Sequence, residues 1–228
     1  MKAIITGLLL AISVFAFAQT PKQVIHKVST TFNKVADYSA DINMQFNIPS
    51  VKMEPISGKV FYKKPEKFRI KTKGIIFLPK QNPYYALAVL KDTNSYTAIT
   101  MGTEKIGNTV CTVINVIPNA DGDLILGKLW IDAQRGLMLK SQLTTKSNGT
   151  IQIDNIFGTQ AANALPDKML FTIDVSKFKV PKMVAIDINA KTAPKTEGNA
   201  PKGTGVITLN FTNYKINQKL PDSVFTEE

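Results

Sequence analysis

From Ala40 to Ile48 the apolar residues Ala40, Ile42, Met44, Phe46 and Ile48 alternate without a break with Asp41, Asn43, Gln45 and Asn47. Only an extended strand puts successive side chains on opposite faces, so this run predicts a strand with one greasy and one polar face. The greasy face has to be covered by something else. The same period recurs in Gly58 to Lys71, G-K-V-F-Y-K-K-P-E-K-F-R-I-K. Val60 and Tyr62 alternate with Lys59, Phe61 and Lys63, and Phe68 and Ile70 alternate with Lys67, Arg69 and Lys71, which predicts two strands with an apolar and a basic face. Pro65 cannot donate to a sheet ladder, so Lys64-Pro65-Glu66 reads as the tight connection between them, with Lys64 at a sheet rim. An ordinary solvated hairpin with a basic outer face fits the same pattern.

Further strand patterns follow at Tyr84 to Leu90, Tyr96 to Met101, Thr109 to Ile117, Leu124 to Asp132, Leu137 to Lys146, Thr150 to Phe157, Met169 to Val175, Val184 to Ala190 and Val206 to Tyr214. Turn residues such as Asp92-Thr93-Asn94, Asp121-Gly122-Asp123 and Arg135-Gly136 separate several of them. One helix is predicted from Pro21 to about Ala36, with Thr20 as its cap, proline at its first position, and Val24, Val28, Phe32 and Val35 on one face. The expected fold is mainly β: a strongly curved antiparallel sheet, or unclosed barrel, of about eleven strands, its concave face covered by the N-terminal helix and a short turn near Thr159 to Ala164. Residues 19–228 suit a single domain. Ile75-Ile76-Phe77-Leu78 is too short for a helix and reads either as a lid or docking patch or as core packing.

Gly149 to Phe171 and Gly203 to Phe225 echo each other, each running from a glycine-led strand to a Leu-Pro-Asp tail and a phenylalanine. Residues 183–228 therefore read as an extra terminal hairpin, with Thr192 to Lys202, rich in Pro, Gly, Lys and Thr, as its mobile loop.

Met1-Lys2, an apolar run to Phe17 and the small residues around Ala16-Phe17-Ala18 have the form of a secretory signal peptide over residues 1–18, cut after Ala18. The product is then exported. The leader carries one of the 28 basic residues, Lys2, and none of the 17 acidic ones, so the net charge falls from +11 to +10. For an exported protein that excess argues against nucleic acid and for an anionic membrane surface or an acidic protein partner. Cys111 is the only cysteine, so no internal disulfide can form and stability must come from a packed core.

Chemistry finds little to stand on. His26, the single histidine, has no second histidine or nearby cysteine with which to hold a metal, and Cys111 sits in a strand pattern as a small core residue. Asp121-Gly122-Asp123 lacks the further oxygen ligands of a calcium loop. No phosphate-cradling glycine loop and no Gly-x-Ser-x-Gly elbow is present. No catalytic residue, metal or cofactor is expected.

The chain resembles the outer-membrane lipoprotein-sorting (LolA-like) carrier family as a divergent member. The likeness rests on the helix running into Tyr38-Ser39-Ala40-Asp41, on G-K-V-F-Y-K-K-P-E-K-F-R, on G-N-T-V-C-T-V-I-N-V-I-P, on K-L-W-I-D-A-Q-R-G-L-M-L-K and on the Leu-Pro-Asp…Phe endings. The resemblance implies a helical lid over an apolar cavity in a periplasmic carrier, which takes acyl chains of lipoproteins or lipids from an inner-membrane exporter to an outer-membrane acceptor. The residues expected to line that cavity are Val28, Phe32, Val35, Ile42, Met44, Phe46, Val60, Tyr62, Phe68 and Ile70; plain core packing of these ten is the competing reading. Lys63, Lys64, Lys67, Arg69 and Lys71 are expected as a basic rim or lid contact, touching a membrane surface transiently or an acidic partner, on a monomer. Lys64 stands where the family's lid-holding arginine precedes the proline, and it lacks that residue's planar fork. A sensor of the same fold, binding lipid or an envelope partner without shuttling, is the alternative.

Overall fold

A computed structural model describes residues 19–49, 53–72, 90, 92–147, 149–175 and 203–226. The leader, the Ile75 to Leu78 segment, the Val184 to Ala190 strand, the 192–202 loop and all but Leu90 of the Tyr84 to Leu90 strand lie outside the described residues.

The helix α1 spans Pro21–Phe32. Its start follows the local chemistry: the Thr20 hydroxyl accepts from the Gln23 amide at 3.3 Å while the Gln23 side chain accepts from the Thr20 amide at 2.9 Å. It ends one turn earlier than the periodicity predicts. The carbonyls just past its last turn find partners from distant parts of the chain rather than from further helix: the Lys64 ammonium donates to Asn33 O, and the Asn217 amide to Lys34 O at 3.3 Å. Val35 is thus buried as part of the turn into the sheet and not on the helix.

Ten strands follow among the described residues: β1 (Asp37–Asn47), β2 (Ile56–Lys63), β3 (Lys67–Thr72), β4 (Tyr96–Ile106), β5 (Thr109–Pro118), β6 (Leu124–Asp132), β7 (Leu137–Thr145), β8 (Gly149–Ile156), β9 (Lys168–Asp174) and β10 (Thr204–Ile216). A 3-10 turn, Ala161–Asn163, stands at the short turn expected near Thr159 to Ala164. All ten strands form one antiparallel sheet in the order β3-β2-β1-β10-β9-β8-β7-β6-β5-β4, which does not close.

That order demands curvature. Phe32 at the end of α1 tilts against Tyr62 of β2 with ring centroids 5.2 Å apart, while Lys22 at its start donates to Thr93 O at 2.6 Å, just before β4. Strands β2 and β4 are eight places apart in the sheet, about 38 Å if it were flat. A 12-residue helix is only about 18 Å long. Both ends can be met, even with the reach of the side chains, only because the sheet bends around the helix.

Two apolar clusters fill the concave side. Val24, Ile25 and Val28 pack with Tyr96, Ile114, Leu129 and Met138 on the β4–β7 half. Phe32 and Val35 pack with residues of β1, β2 and β8 to β10 on the other. The convex face carries a small cluster of its own, Cys111, Val113 and Trp130. The Trp130 indole donates to Glu104 Oε2 at 2.7 Å and lies between the ammonium groups of Lys128 and Lys140, 4.5 and 5.1 Å from its ring centroid.

Candidate functional site

The site grows from the alternation of β1 and β2. Even-numbered residues of both strands face the helix, and the register sets Tyr38 opposite Tyr62 and Ala40 opposite Val60, while β3 adds Phe68 opposite Tyr62 and Ile70 opposite Val60. Side chains predicted from three separate runs therefore meet on one patch. Phe32, Val35, Ile42, Met44, Val60 and Tyr62 are buried in one cluster, against which Phe46, Phe68 and Ile70 pack half-buried. Val28 belongs to the neighbouring cluster under the first turns of the helix. The apolar surface thus grades from closed beneath the helix to partly open at Phe46, Phe68 and Ile70.

Aromatic rings tie this patch to a strand that no local pattern could have assigned to it. Tyr62 stacks on Tyr38 at 5.5 Å, Tyr38 tilts against Tyr214 at 5.6 Å, and Tyr214 stacks on Phe211 at 6.2 Å. Tyr214 and Phe211 come from β10, which pairs with β1 across some 170 residues of chain. The period-2 signal of Ile207, Leu209 and Phe211 is present in the sequence. What it lacks is any mark of its neighbour. Leu165 of the first Leu-Pro-Asp is likewise fully buried in this cluster, and the following Pro166 carbonyl accepts from the Tyr214 hydroxyl at 2.7 Å.

The basic residues of the β2–β3 hairpin separate into two groups. Lys64, in the turn, takes the end of α1: its ammonium donates to the Asn33 carbonyl and its amide to Ala36 O at 2.9 Å. Lys63, Lys67 and Arg69 point to the convex face and hold the chain's own last residues. Lys63 donates to Leu220 O and Asp222 Oδ1, both at 2.7 Å, and Lys67 lies 2.8 Å from Asp222 Oδ2. Arg69 donates to Val224 O at 3.2 Å and to Thr226 O. Lys71 is exposed and stands opposite Lys59.

The hydrogen bond from Lys63, then that from Lys67, hold the Asp222 carboxyl down to about 2 from an ordinary 3.8. A depressed carboxylate gives its full contribution above its ordinary value and loses it as pH falls through the folded one. The tail contact is therefore expected to be intact at pH 5 and lost on acidification from about 4 toward 2. Carbon-detected NMR titration of the Asp222 carboxyl should show a midpoint near 2 that moves up toward the ordinary value in Lys63→Ala. An ordinary midpoint in the unsubstituted chain would mean that the tail does not sit on Lys63.

Among the described residues no group of three or more His, Cys, Asp or Glu could hold a metal ion. His26 is exposed, and Cys111 is buried, its thiol pushed above its ordinary value by that burial, which keeps it protonated and a poor nucleophile at neutral pH. No helix among the described residues is long and apolar enough to cross a membrane.

The family model of the MucB/RseB N-terminal domain matches residues 59–167. No curated protein gives a significant sequence match. Among solved structures, a LolA superfamily protein from Nitrosomonas europaea superposes with a TM-score of 0.58 at 12% identity, covering 92% of this chain and 99% of its own. A domain assigned to outer membrane lipoprotein sorting from Vibrio parahaemolyticus gives 0.59 at 10% identity, covering 90% and 96%. A DUF1329 family protein from Desulfovibrio piger gives 0.57 at 11% identity, covering 92% and 98%. At such identities the likeness lies in the backbone, an open sheet of ten strands among the described residues bent around a leading helix, and by that measure the chain has a LolA-like fold.

Proposed function

We propose that the chain is an exported carrier, not an enzyme, which shelters acyl chains of lipoproteins or lipids beneath α1 and moves them between the inner and outer membranes. On this reading the leader is cut after Ala18 and residues 19–228 work in the periplasm as one domain and as a monomer. An inner-membrane exporter supplies the cargo and an outer-membrane acceptor takes it, with transient membrane-surface contact at each end. The observation that supports it is the graded apolar patch: a helix held at both ends across a concave greasy face, with Phe46, Phe68 and Ile70 left half-exposed beside it.

Energetics favours such an incomplete enclosure. At about 0.8 kcal/mol per buried methylene, one chain of roughly 14 methylenes contributes on the order of 11 kcal/mol. Two or three fully buried chains would pass the ceiling of about 20 kcal/mol for non-covalent affinity, and the cargo would not leave. A carrier therefore leaves part of the chains outside, or uses binding energy to displace its lid.

Mass spectrometry of the protein purified without detergent is expected to find acyl lipid or lipoprotein retained. Phe32→Asp, under the helix end, and Phe68→Asp, at the half-open margin, are each expected to lower the retained lipid about tenfold, since a carboxylate facing hydrocarbon is strongly disfavoured. Lipid capture unchanged in a folded Phe68→Asp protein would refute the placement of the site. The alternative is a sensor of the same fold that binds lipid or an envelope partner without shuttling. Its support is the convex basic face, which already holds an acidic segment of chain. Copurified lipoprotein argues for carriage, a stably bound partner domain for sensing.

A further inference from the structure

The chain contains Leu-Pro-Asp twice, and the two copies are used in opposite ways. Leu165 of the first is fully buried, and the Asp167 carbonyl accepts from the Phe211 amide at 2.8 Å, so this copy is woven into the sheet. Leu220 of the second is half-exposed, the short 3-10 turn Asp222–Val224 that follows buries no residue, and the Asp222 side chain is 63% exposed. This second copy is strapped onto the outside of the β2–β3 hairpin by Lys63, Lys67 and Arg69.

The manner of holding defines what the surface recognises. Each oxygen of one carboxylate is taken by a different lysine, and main-chain carbonyls at positions 220, 224 and 226 are taken by Lys63 and Arg69. A free anion or a lipid phosphate would meet the two lysines but would leave the row of carbonyl contacts unmade. A peptide with one acidic side chain leading into a short 3-10 turn, as in residues 220–226, satisfies all of them. Charge complementarity extends beyond the tail: Lys59, Lys71 and Lys215 share this face, with Asp41 and the buried Asp37, opposite Lys63, as acidic residues among them.

We propose that the convex face of the β2–β3 hairpin is a docking surface for a short acidic peptide segment of a partner protein, and that the chain's own residues 220–226 occupy it in cis as a displaceable stand-in. The tail is held by exposed ion pairs and a few carbonyl contacts, and such pairs at a surface are individually weak. Its hold comes mainly from being tethered, which gives it a high local concentration that an incoming segment must overcome. A partner that presents a better-matched segment, or several, displaces it.

The test uses the full chain. A fluorescent peptide with the sequence of residues 220–228 serves as the probe, and its anisotropy is followed with the unsubstituted protein and with Asp222→Lys, whose tail is repelled from Lys63 and Lys67. Binding is expected to be at least tenfold tighter to Asp222→Lys than to the unsubstituted protein, and to be lost again when Lys63→Ala and Lys67→Ala are added. A scrambled peptide of equal charge should bind at least tenfold more weakly. Equal binding to both proteins, equal binding of the scrambled peptide, or capture of phosphatidylglycerol vesicles by Asp222→Lys in place of the peptide would each overturn the proposal. Retained lipid in the same samples reads the carrier function separately, because the convex face is not part of the concave site.

Discussion

Tyr62→Ala is expected to lower the free energy of unfolding by about 3–5 kcal/mol, the usual range for deleting a buried aromatic side chain. Tyr62 is 5% exposed and its ring stands between Phe32 of the helix end and Tyr38 of the first strand, at 5.2 and 5.5 Å. It is the second ring of a row that continues from Tyr38 through Tyr214 to Phe211. Removing it opens a cavity and takes away two ring contacts, each of about 0.5–1.5 kcal/mol beyond area burial. Urea denaturation checks the magnitude, and Tyr62→Phe, which keeps the ring, should cost far less. The loss should also be felt locally, as faster hydrogen exchange in the last turn of α1, because Phe32 then rests on one neighbour fewer. A cost for Tyr62→Ala below 1 kcal/mol would mean that the rings are in proximity without holding the helix end.

Gly136→Val is expected to cost roughly 2–5 kcal/mol by two independent routes. Gly136 turns the β6–β7 hairpin with φ +67°, a left-handed conformation that a β-branched residue tolerates poorly. A Cβ there would also lie 2.6 Å from the Thr31 hydroxyl and 3.0 Å from the Lys27 carbonyl, both on α1. The rest of the turn cannot move to make room, because Asp132 accepts from the amides of Gln134 and Arg135 at 2.9 and 3.0 Å and pairs with the Arg135 guanidinium. Gly136→Asn separates the routes, since asparagine accepts the backbone angle and keeps the Cβ. A stability loss for Gly136→Asn close to that of Gly136→Val would assign the effect to the helix contact. Little loss for Gly136→Asn alone would assign the effect to the backbone angle, and little loss for either would refute both routes.

Both predictions concern the seating of one helix, and both rest on contacts that a local reading could not supply. The strand alternations of Ala40 to Ile48 and of Gly58 to Lys71 are legible because burial on one face of a sheet imposes its period directly on the chain. The same holds for the capped start of α1 at Thr20, whose two hydrogen bonds reach only three residues. The end of that helix was not legible. Its stop depends on Lys64 and Asn217, which are far along the chain, and the apolar residue Val35 looks like one more helical position until those contacts end the helix before it. For the same reason the periodicity places Val28 with Phe32, while the packing assigns them to different clusters on the bent sheet.

The basic hairpin shows the difference most plainly. Alternation alone predicts that Lys63, Lys67 and Arg69 share one side of two strands, and they do. Their engagement by Asp222 and the carbonyls of the tail brings together groups about 155 residues or more apart, and nothing in either segment marks the other. Local interactions of short reach, the pleat of a strand and the cap of a helix, were written into the order of the residues and could be read from it. Which strand lies beside which, how far the sheet bends, and what meets a given lysine are set by contacts between distant segments. Those contacts exist only once the chain has closed on itself, since a side chain carries no record of a partner it has yet to meet.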